Sequence, residues 1–317
     1  MNPLQPFLGR QGVVLLDGGL ATELEARGYD LADELWSARL LIENPAAIVE
    51  VHRDYLAAGA DCLTAASYQA TLEGLARRGL GERQAEALLR RSVHLATAVR
   101  DDFWSDPAHR PGRLRPLVAA SIGPYGAYLA NGAEYTGDYD LDEDGLVAFH
   151  RRRLAILADA GADLLACETI PSRREARALR RLLEAPVGGG ASLPGAWISF
   201  SCRDDRHLAD GSDLAATVAE IEACERLLAV GVNCTMPRFV AGLVDRLRGV
   251  TDKPIVVYPN AGEVYDAEAK RWLESAEAVD LATAAVDWQA RGARLIGGCC
   301  RTGPEQIRRL RARLLAG

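Results

Sequence analysis

Short apolar runs rich in β-branched residues recur along the chain, each followed by a stretch with helical periodicity. Eight are distinguishable, at 13–17, 61–66, 116–122, 162–167, 196–201, 227–233, 254–258 and 293–298. They lack the strict apolar–polar alternation of half-buried strands, the mark of strands covered on both faces. The stretches between them have recognisable ends. Asn44 followed by Pro45 caps a helix that runs to Gly59, and residues 145–160 place Leu146, Phe149, Leu154 and Leu157 on one face before Gly161. Pro304 opens a last helix. The tetrapeptide AGAD occurs at 58–61 and again at 160–163, the same helix-to-strand junction used twice. Strands alternating with helices in this way predict an α/β protein, a single closed (β/α)8 TIM barrel over residues 1–317, with an open doubly wound sheet as the alternative. No G-x-G-x-x-G follows the first run, where the sequence reads LLDGGLATE, so a dinucleotide site is not expected.

Composition narrows the class of partner. Of 317 residues, 49% are hydrophobic and 26% charged, which excludes wholesale disorder. The net charge of −7 argues against nucleic acid or an anionic membrane as partner. Only Lys253 and Lys270 are lysines, and the arginines are interspersed with acids as on a solvated surface. There is no apolar run of about 18 residues and no charged leader, so a cytoplasmic protein is expected. The loops at 104–116 and 185–195 precede strands and fall on the stability face. Residues 123–140 follow a strand, carry four tyrosines, and are expected over the catalytic face.

Active sites of such barrels lie at the C-terminal ends of the strands, so the residues that follow each run carry the chemistry. They are Asp17-Gly18-Gly19, Ser67-Tyr68-Gln69, Gly123-Pro124-Tyr125, Cys167-Glu168-Thr169, Ser201-Cys202, Asn233-Cys234-Thr235, Tyr258-Pro259-Asn260 and Gly297-Gly298-Cys299-Cys300. Three of the seven cysteines, Cys234, Cys299 and Cys300, thus converge from strands flanking a common neighbour. Three thiolates with an open fourth position describe a catalytic zinc site. Two adjacent cysteines reach one ion only where the backbone leaves strand geometry, which the two preceding glycines permit. A vicinal Cys299–Cys300 disulfide is the rival reading, and a disulfide framework is not expected from an odd, irregular cysteine set in the cytosol. Cys62, Cys167, Cys202 and Cys224 read as packing residues, as do His52, His94 and His150; His109 and His207 have no evident partner. Asp17 and Glu168 share the site face and suit a ligand ammonium group. Ser67 and Tyr68 are candidates for substrate or metal contact.

The segments LLDGGLATELEARG, LWSA, TAASYQA, SIGPYGAYLANGAEYTG, CETIP, GVNC, VVYPNAGEVYD and GGCCRT together resemble the homocysteine S-methyltransferases, from residue 13 to about 307. The resemblance implies that Cys234, Cys299 and Cys300 bind zinc. It also implies that the DGG at 17–19 and Glu168 hold the amino-acid end of homocysteine, with Asn233 in the same shell. The chain ends one helix after GGCC, without the extension of the betaine-using branch, so the resemblance implies a sulfonium donor, S-methylmethionine or S-adenosylmethionine, and methionine as product. The thiolate attacks the donor methyl in line, and tyrosines of the 125–139 loop offer cation–π contact to the sulfonium. Betaine as donor or selenohomocysteine as acceptor is the alternative within the family. A non-catalytic zinc or redox-sensing barrel, and a barrel lyase or aldolase, are the alternatives outside it; the latter calls for a strand-end lysine, which is absent.

Overall fold

The computed structural model describes residues 2–31, 36–185, 193–262, 264–266, 271–273 and 279–315. Most of the 185–195 loop and Lys270 lie outside these residues. The strands are β1 (Val14–Leu15), β2 (Cys62–Thr64), β3 (Leu117–Ile122), β4 (Leu164–Ile170), β5 (Gly195–Phe200), β6 (Leu227–Asn233), β7 (Ile255–Tyr258), β8 (Val264–Asp266), β9 (Arg271–Leu273) and β10 (Ala293–Ile296). Eight of them form one parallel sheet in the order β1-β10-β7-β6-β5-β4-β3-β2. A parallel bridge between Leu16 and Cys62 joins the two ends of that order. There the Asp17 N–H donates to the Cys62 carbonyl at 3.1 Å and the Asp61 N–H to the Leu15 carbonyl at 2.7 Å. The expected single (β/α)8 barrel is therefore what the chain forms. β8 and β9, an antiparallel pair inserted between β7 and β10, carry no period that the sequence reading detected.

Strand residues divide by parity into two buried layers. Leu63, Ala120, Leu165 and Ile198 are buried beneath the helices, whereas Val14, Ala119, Ala166, Trp197, Ala229 and Val256 fill the barrel itself. Burial on both faces removes the need for polar alternation. The helix Gln5–Gln11, unforeseen in the sequence, brings Leu4 and Phe7 into the inner layer beside Leu117 and Leu164, the first residues of β3 and β4. It closes the end of the barrel opposite the strand C-termini.

The repeated AGAD has a specific use. Asp61 accepts the N–H of Leu15 at 3.1 Å and Asp163 that of Val118 at 2.8 Å, so each aspartate anchors the start of a neighbouring strand. Each also meets an arginine, Arg311 at 3.1 Å and Arg100 at 2.7 Å respectively. The helix Pro45–Ala58 is present as expected, but Asn44 does not cap it; its amide donates to the Tyr29 hydroxyl at 3.0 Å. The expected helix at 145–160 spans Glu143–Ala158 and is capped by Asp142, which accepts the Gly145 N–H at 2.8 Å. No helix among the described residues is long and apolar enough to cross a membrane.

Candidate active site and metal centre

The strand C-termini open into a cavity of about 310 Å3. All eight residues selected from the sequence line it: Asp17, Gly18, Tyr68, Glu168, Asn233, Cys234, Cys299 and Cys300. Its floor carries two hydrogen-bonded sets of polar groups at the strand ends. Asp17 accepts the Thr64 N–H at 2.7 Å and the Thr64 hydroxyl at 2.9 Å. Glu168 accepts the hydroxyls of Ser121 and, at 3.0 Å, Tyr258. The Tyr258 oxygen also lies 2.6 Å from Ser199 Oγ and accepts the Trp197 indole N–H at 3.0 Å. Burial pushes the Asp17 carboxyl up to about 7 and that of Glu168 up to about 6, despite these hydrogen bonds.

Asn233 acts on Glu168 through its neighbour. The Asn233 side chain accepts the Thr169 N–H and donates to the Thr169 hydroxyl, both at 2.7 Å. Thr169 has φ +60°, a left-handed conformation that costs a non-glycine residue roughly 1–2 kcal/mol. The two hydrogen bonds hold that conformation at the point where the chain leaves β4, and so fix Glu168 in the cavity. Sequence reasoning missed Thr64, Ser121, Ser199 and the role of Tyr258. Strand parity was the available signal, because Ser121 and Ser199 share a face with Ala119 and Trp197.

The three cysteine sulfurs lie within 4.8 Å of one another. Cys234 follows β6 directly and turns its chain with φ +47°. Cys299 and Cys300 lie beyond β10, in a turn fixed by the Cys299 N–H donating to the Pro259 carbonyl at 2.9 Å and the Ala261 N–H to the Cys300 carbonyl at 3.1 Å. Here the role expected of the glycines is refined. Gly298 has no positive φ; it is required because a Cβ there would lie 2.2 Å from Thr302 Oγ1. The left-handed residue of the turn is Arg301, at φ +64°.

One expectation is corrected. Cys234 and Cys299 form a disulfide in this structure, with Cα atoms 5.7 Å apart, and Cys300 is free. The pairing is across strand ends rather than vicinal, because the same convergence that assembles three donors brings these two sulfurs together. A soft, compact set of three sulfurs fits a zinc ion once that pair is reduced to thiols. The other four cysteines are free and buried, as expected.

The segment 123–140 does lie over the cavity, as a helix Tyr125–Leu129 and a turn at Ala133–Tyr135, but its tyrosines do not act together. Only Tyr135 lines the cavity. Tyr125 and Tyr128 pack against Phe149, with ring centroids 4.9 and 5.5 Å away. The Tyr139 hydroxyl donates to buried Glu175. His150 is buried and partnered, its Nε2 2.7 Å from Glu175. His207 lies 2.9 Å from Asp204, and His109 Nδ1 lies 2.8 Å from the Phe103 carbonyl, so both have the partners the sequence did not reveal. Ser67 is buried and donates to the Ser121 carbonyl at 2.8 Å. Asn260, at the end of β7, is buried but does not line the cavity.

Comparison with known proteins points the same way. The homocysteine S-methyltransferase family model matches residues 14–314. The homocysteine S-methyltransferase YbgG of Bacillus subtilis is 50% identical over 313 residues, 98% of each chain. The selenocysteine Se-methyltransferase of Brassica oleracea var. italica is 46% identical over 314 residues, 96% of this chain and 90% of its own. The crystal structure of the metallated form of the homocysteine methyltransferase MmuM from Escherichia coli matches with a TM-score of 0.87 at 48% identity, covering 98% of this chain and 100% of that one. Its oxidized form gives the same TM-score. By the reach and identity of these matches, this chain is a methyltransferase enzyme that belongs to the homocysteine S-methyltransferase family.

Proposed function

We propose that this enzyme transfers a methyl group from a sulfonium amino acid, S-methylmethionine or S-adenosylmethionine, to the thiol of homocysteine, giving methionine, with zinc held by Cys234, Cys299 and Cys300. The observation that carries the reading is the company the three sulfurs keep. They open onto a cavity lined by five carboxylates and, among the described residues, by no lysine, arginine or histidine. Such a lining selects cations, and a sulfonium donor and an amino-acid ammonium are both cationic. That the Escherichia coli relative has a metallated form supports a metal-dependent reading.

Zinc, when bound, supplies the Lewis acidity that strips the thiol proton and keeps the acceptor sulfur nucleophilic. The remaining work belongs to the chain. Asp17 and Glu168, held by Thr64, Ser121 and Tyr258, receive the homocysteine ammonium and set its sulfur toward the cysteines. Gly18 lines the site with its backbone and leaves room behind it for the Thr302 carbonyl and the Tyr55 hydroxyl, Asn233 keeps Glu168 in place, and Tyr68 walls the site beside the sulfurs. An electron pair on the homocysteine sulfur attacks the methyl carbon in line. The old carbon–sulfur bond breaks with its electrons going to the departing sulfur, which leaves as a neutral thioether, and the thiol proton passes to solvent. Orientation of two bound reactants contributes much of the acceleration.

On the same reading residues 1–317 act as one domain on small molecules in the cytoplasm, without nucleic-acid or membrane partners, in keeping with the net charge of −7. A selenol in place of the thiol is the second reading, favoured by the Brassica relative. The deciding experiment is a panel of S-methylmethionine, S-adenosylmethionine and betaine with homocysteine and the reduced, zinc-loaded enzyme. Methionine from the sulfonium donors and not from betaine is expected; turnover with betaine alone would overturn the donor assignment.

A further inference from the structure

The cavity holds more negative charge than homocysteine needs. Asp17 and Glu168 form one group on the floor, near enough for Glu168 to act on Asp17, and every oxygen of the pair already accepts a hydrogen bond. Glu134 is placed differently. It sits in the turn Ala133–Tyr135 of the segment that covers the cavity, and its field falls on Cys300 and Tyr68, at the sulfur end. Its backbone is fixed from two sides. The Ser201 hydroxyl donates to the Glu134 carbonyl at 2.8 Å, and the helix Tyr125–Leu129 packs so closely that a Cβ at Gly126 would lie 2.5 Å from the Glu134 nitrogen.

The side chain of Glu134 lines the cavity, and its Oε2 is buried without a hydrogen-bond partner among the described residues. No arginine, lysine or histidine there forms an ion pair with it. A buried carboxylate oxygen left unsatisfied keeps the full cost of its lost hydration, so a position aimed into a ligand cavity with that deficit is matched by a donor on the ligand. What is missing is an N–H. A sulfonium centre carries charge but no N–H, and neither does a quaternary ammonium; a primary ammonium carries three.

We infer that Glu134 is a specificity-determining residue of the site: its Oε2 accepts a hydrogen bond from the α-ammonium of the methyl donor, restricting donors to sulfonium amino acids. The inference rests on the sulfonium-donor reading above and assigns the part of the donor that reading leaves open. Because the ammonium keeps its charge as the methyl moves, the contact is equally strong before and during transfer and acts on KM rather than kcat.

The test compares S-methylmethionine with the same dimethylsulfonium acid lacking its α-amino group, for the wild-type enzyme, Glu134→Gln and Glu134→Asp, each reduced and zinc-loaded. Glu134→Gln is expected to raise KM for S-methylmethionine about tenfold to a hundredfold, the range for a lost charge-assisted hydrogen bond, with kcat within about twofold. KM for the deaminated donor and for homocysteine should not move. Glu134→Asp, which keeps the charge one methylene short, should show a smaller loss confined to S-methylmethionine, and it carries the test if the glutamine variant does not fold. Equal losses with both donors, or none with either, overturn the inference while leaving the sulfonium reading intact. A wild-type enzyme inert with both S-methylmethionine and S-adenosylmethionine overturns both.

Discussion

Glu175 accepts the backbone N–H of Tyr125 at 2.7 Å, across fifty residues of chain. The same carboxylate receives the Tyr139 hydroxyl, so one buried side chain holds both ends of the segment that covers the cavity. His150 lies 2.7 Å away, and Arg153, whose guanidinium donates to the Gly123 carbonyl, contacts His150 Nδ1 at 3.0 Å. Glu175→Ala leaves these groups buried with nothing to accept from them. Breaking such a cluster from one side costs about 3–5 kcal/mol, readable as a lower urea midpoint. Donor KM should rise as Glu134 loses its support. A loss below about 1 kcal/mol would show that the clamp is dispensable.

Asp17 and Glu168 give the activity a defined acid limb. Each must be ionised to hold an ammonium, so kcat/KM for homocysteine should fall as pH drops through about 7 and then about 6. Glu168→Gln removes the lower inflection, moves the upper one down because Asp17 loses a neighbouring negative charge, and lowers kcat/KM at pH 8 by about tenfold or more. The Ser121 and Tyr258 hydroxyls can turn to meet the amide, so the barrel remains folded. The stability effect has the opposite sign. Both carboxyls titrate above their ordinary values, so the folded state binds protons more tightly and loses stability as pH rises toward 8. The glutamine variant should therefore melt no lower than the wild type at pH 8. A pH profile identical to wild type would remove Glu168 from the ammonium site.

Gly298 and Cys299 separate two ways of losing the metal. Cys299→Ser removes a donor, and metal analysis after reduction and zinc loading should find the ion gone while the circular dichroism of the barrel persists. Gly298→Ala keeps all three sulfurs but drives a methyl group into Thr302, whose N–H donates to the Cys299 carbonyl at 3.3 Å. Overpacking of this kind costs about 1–3 kcal/mol and should shift the cysteine turn enough to weaken zinc retention. Wild-type zinc affinity in the alanine variant would show that the turn tolerates the methyl.

The barrel was legible because doubly buried strands and amphipathic helices leave opposite periods, and because strand ends fix where chemistry can lie. That placed Asp17, Glu168 and the three cysteines on one face from their positions alone. What escaped was long-range. Nothing local distinguishes Ser121 or Ser199 from an ordinary strand serine, and their meaning comes from Glu168 and Tyr258, supplied by other strands. Glu134 was hidden for the same reason: its sequence context is a glycine- and tyrosine-rich loop, and only packing against Gly126 and Ser201 turns it inward. Four tyrosines in one loop suggested a common role, yet Phe149 and Glu175 claim three of them. The Cys234–Cys299 pairing was unforeseen because two cysteines 65 residues apart carry no local signal that their sulfurs meet.

The helix Gln5–Gln11 sets a traffic rule. With Leu4 and Phe7 stoppering the far end of the barrel, everything that enters or leaves does so through the same mouth. On the proposed reading, with homocysteine at the carboxylates of the floor and the donor at Glu134 nearer the mouth, homocysteine would bind first and the spent donor would leave first. Initial-rate kinetics with both substrates varied would then show an ordered sequential pattern, and a ping-pong pattern would contradict that stacking.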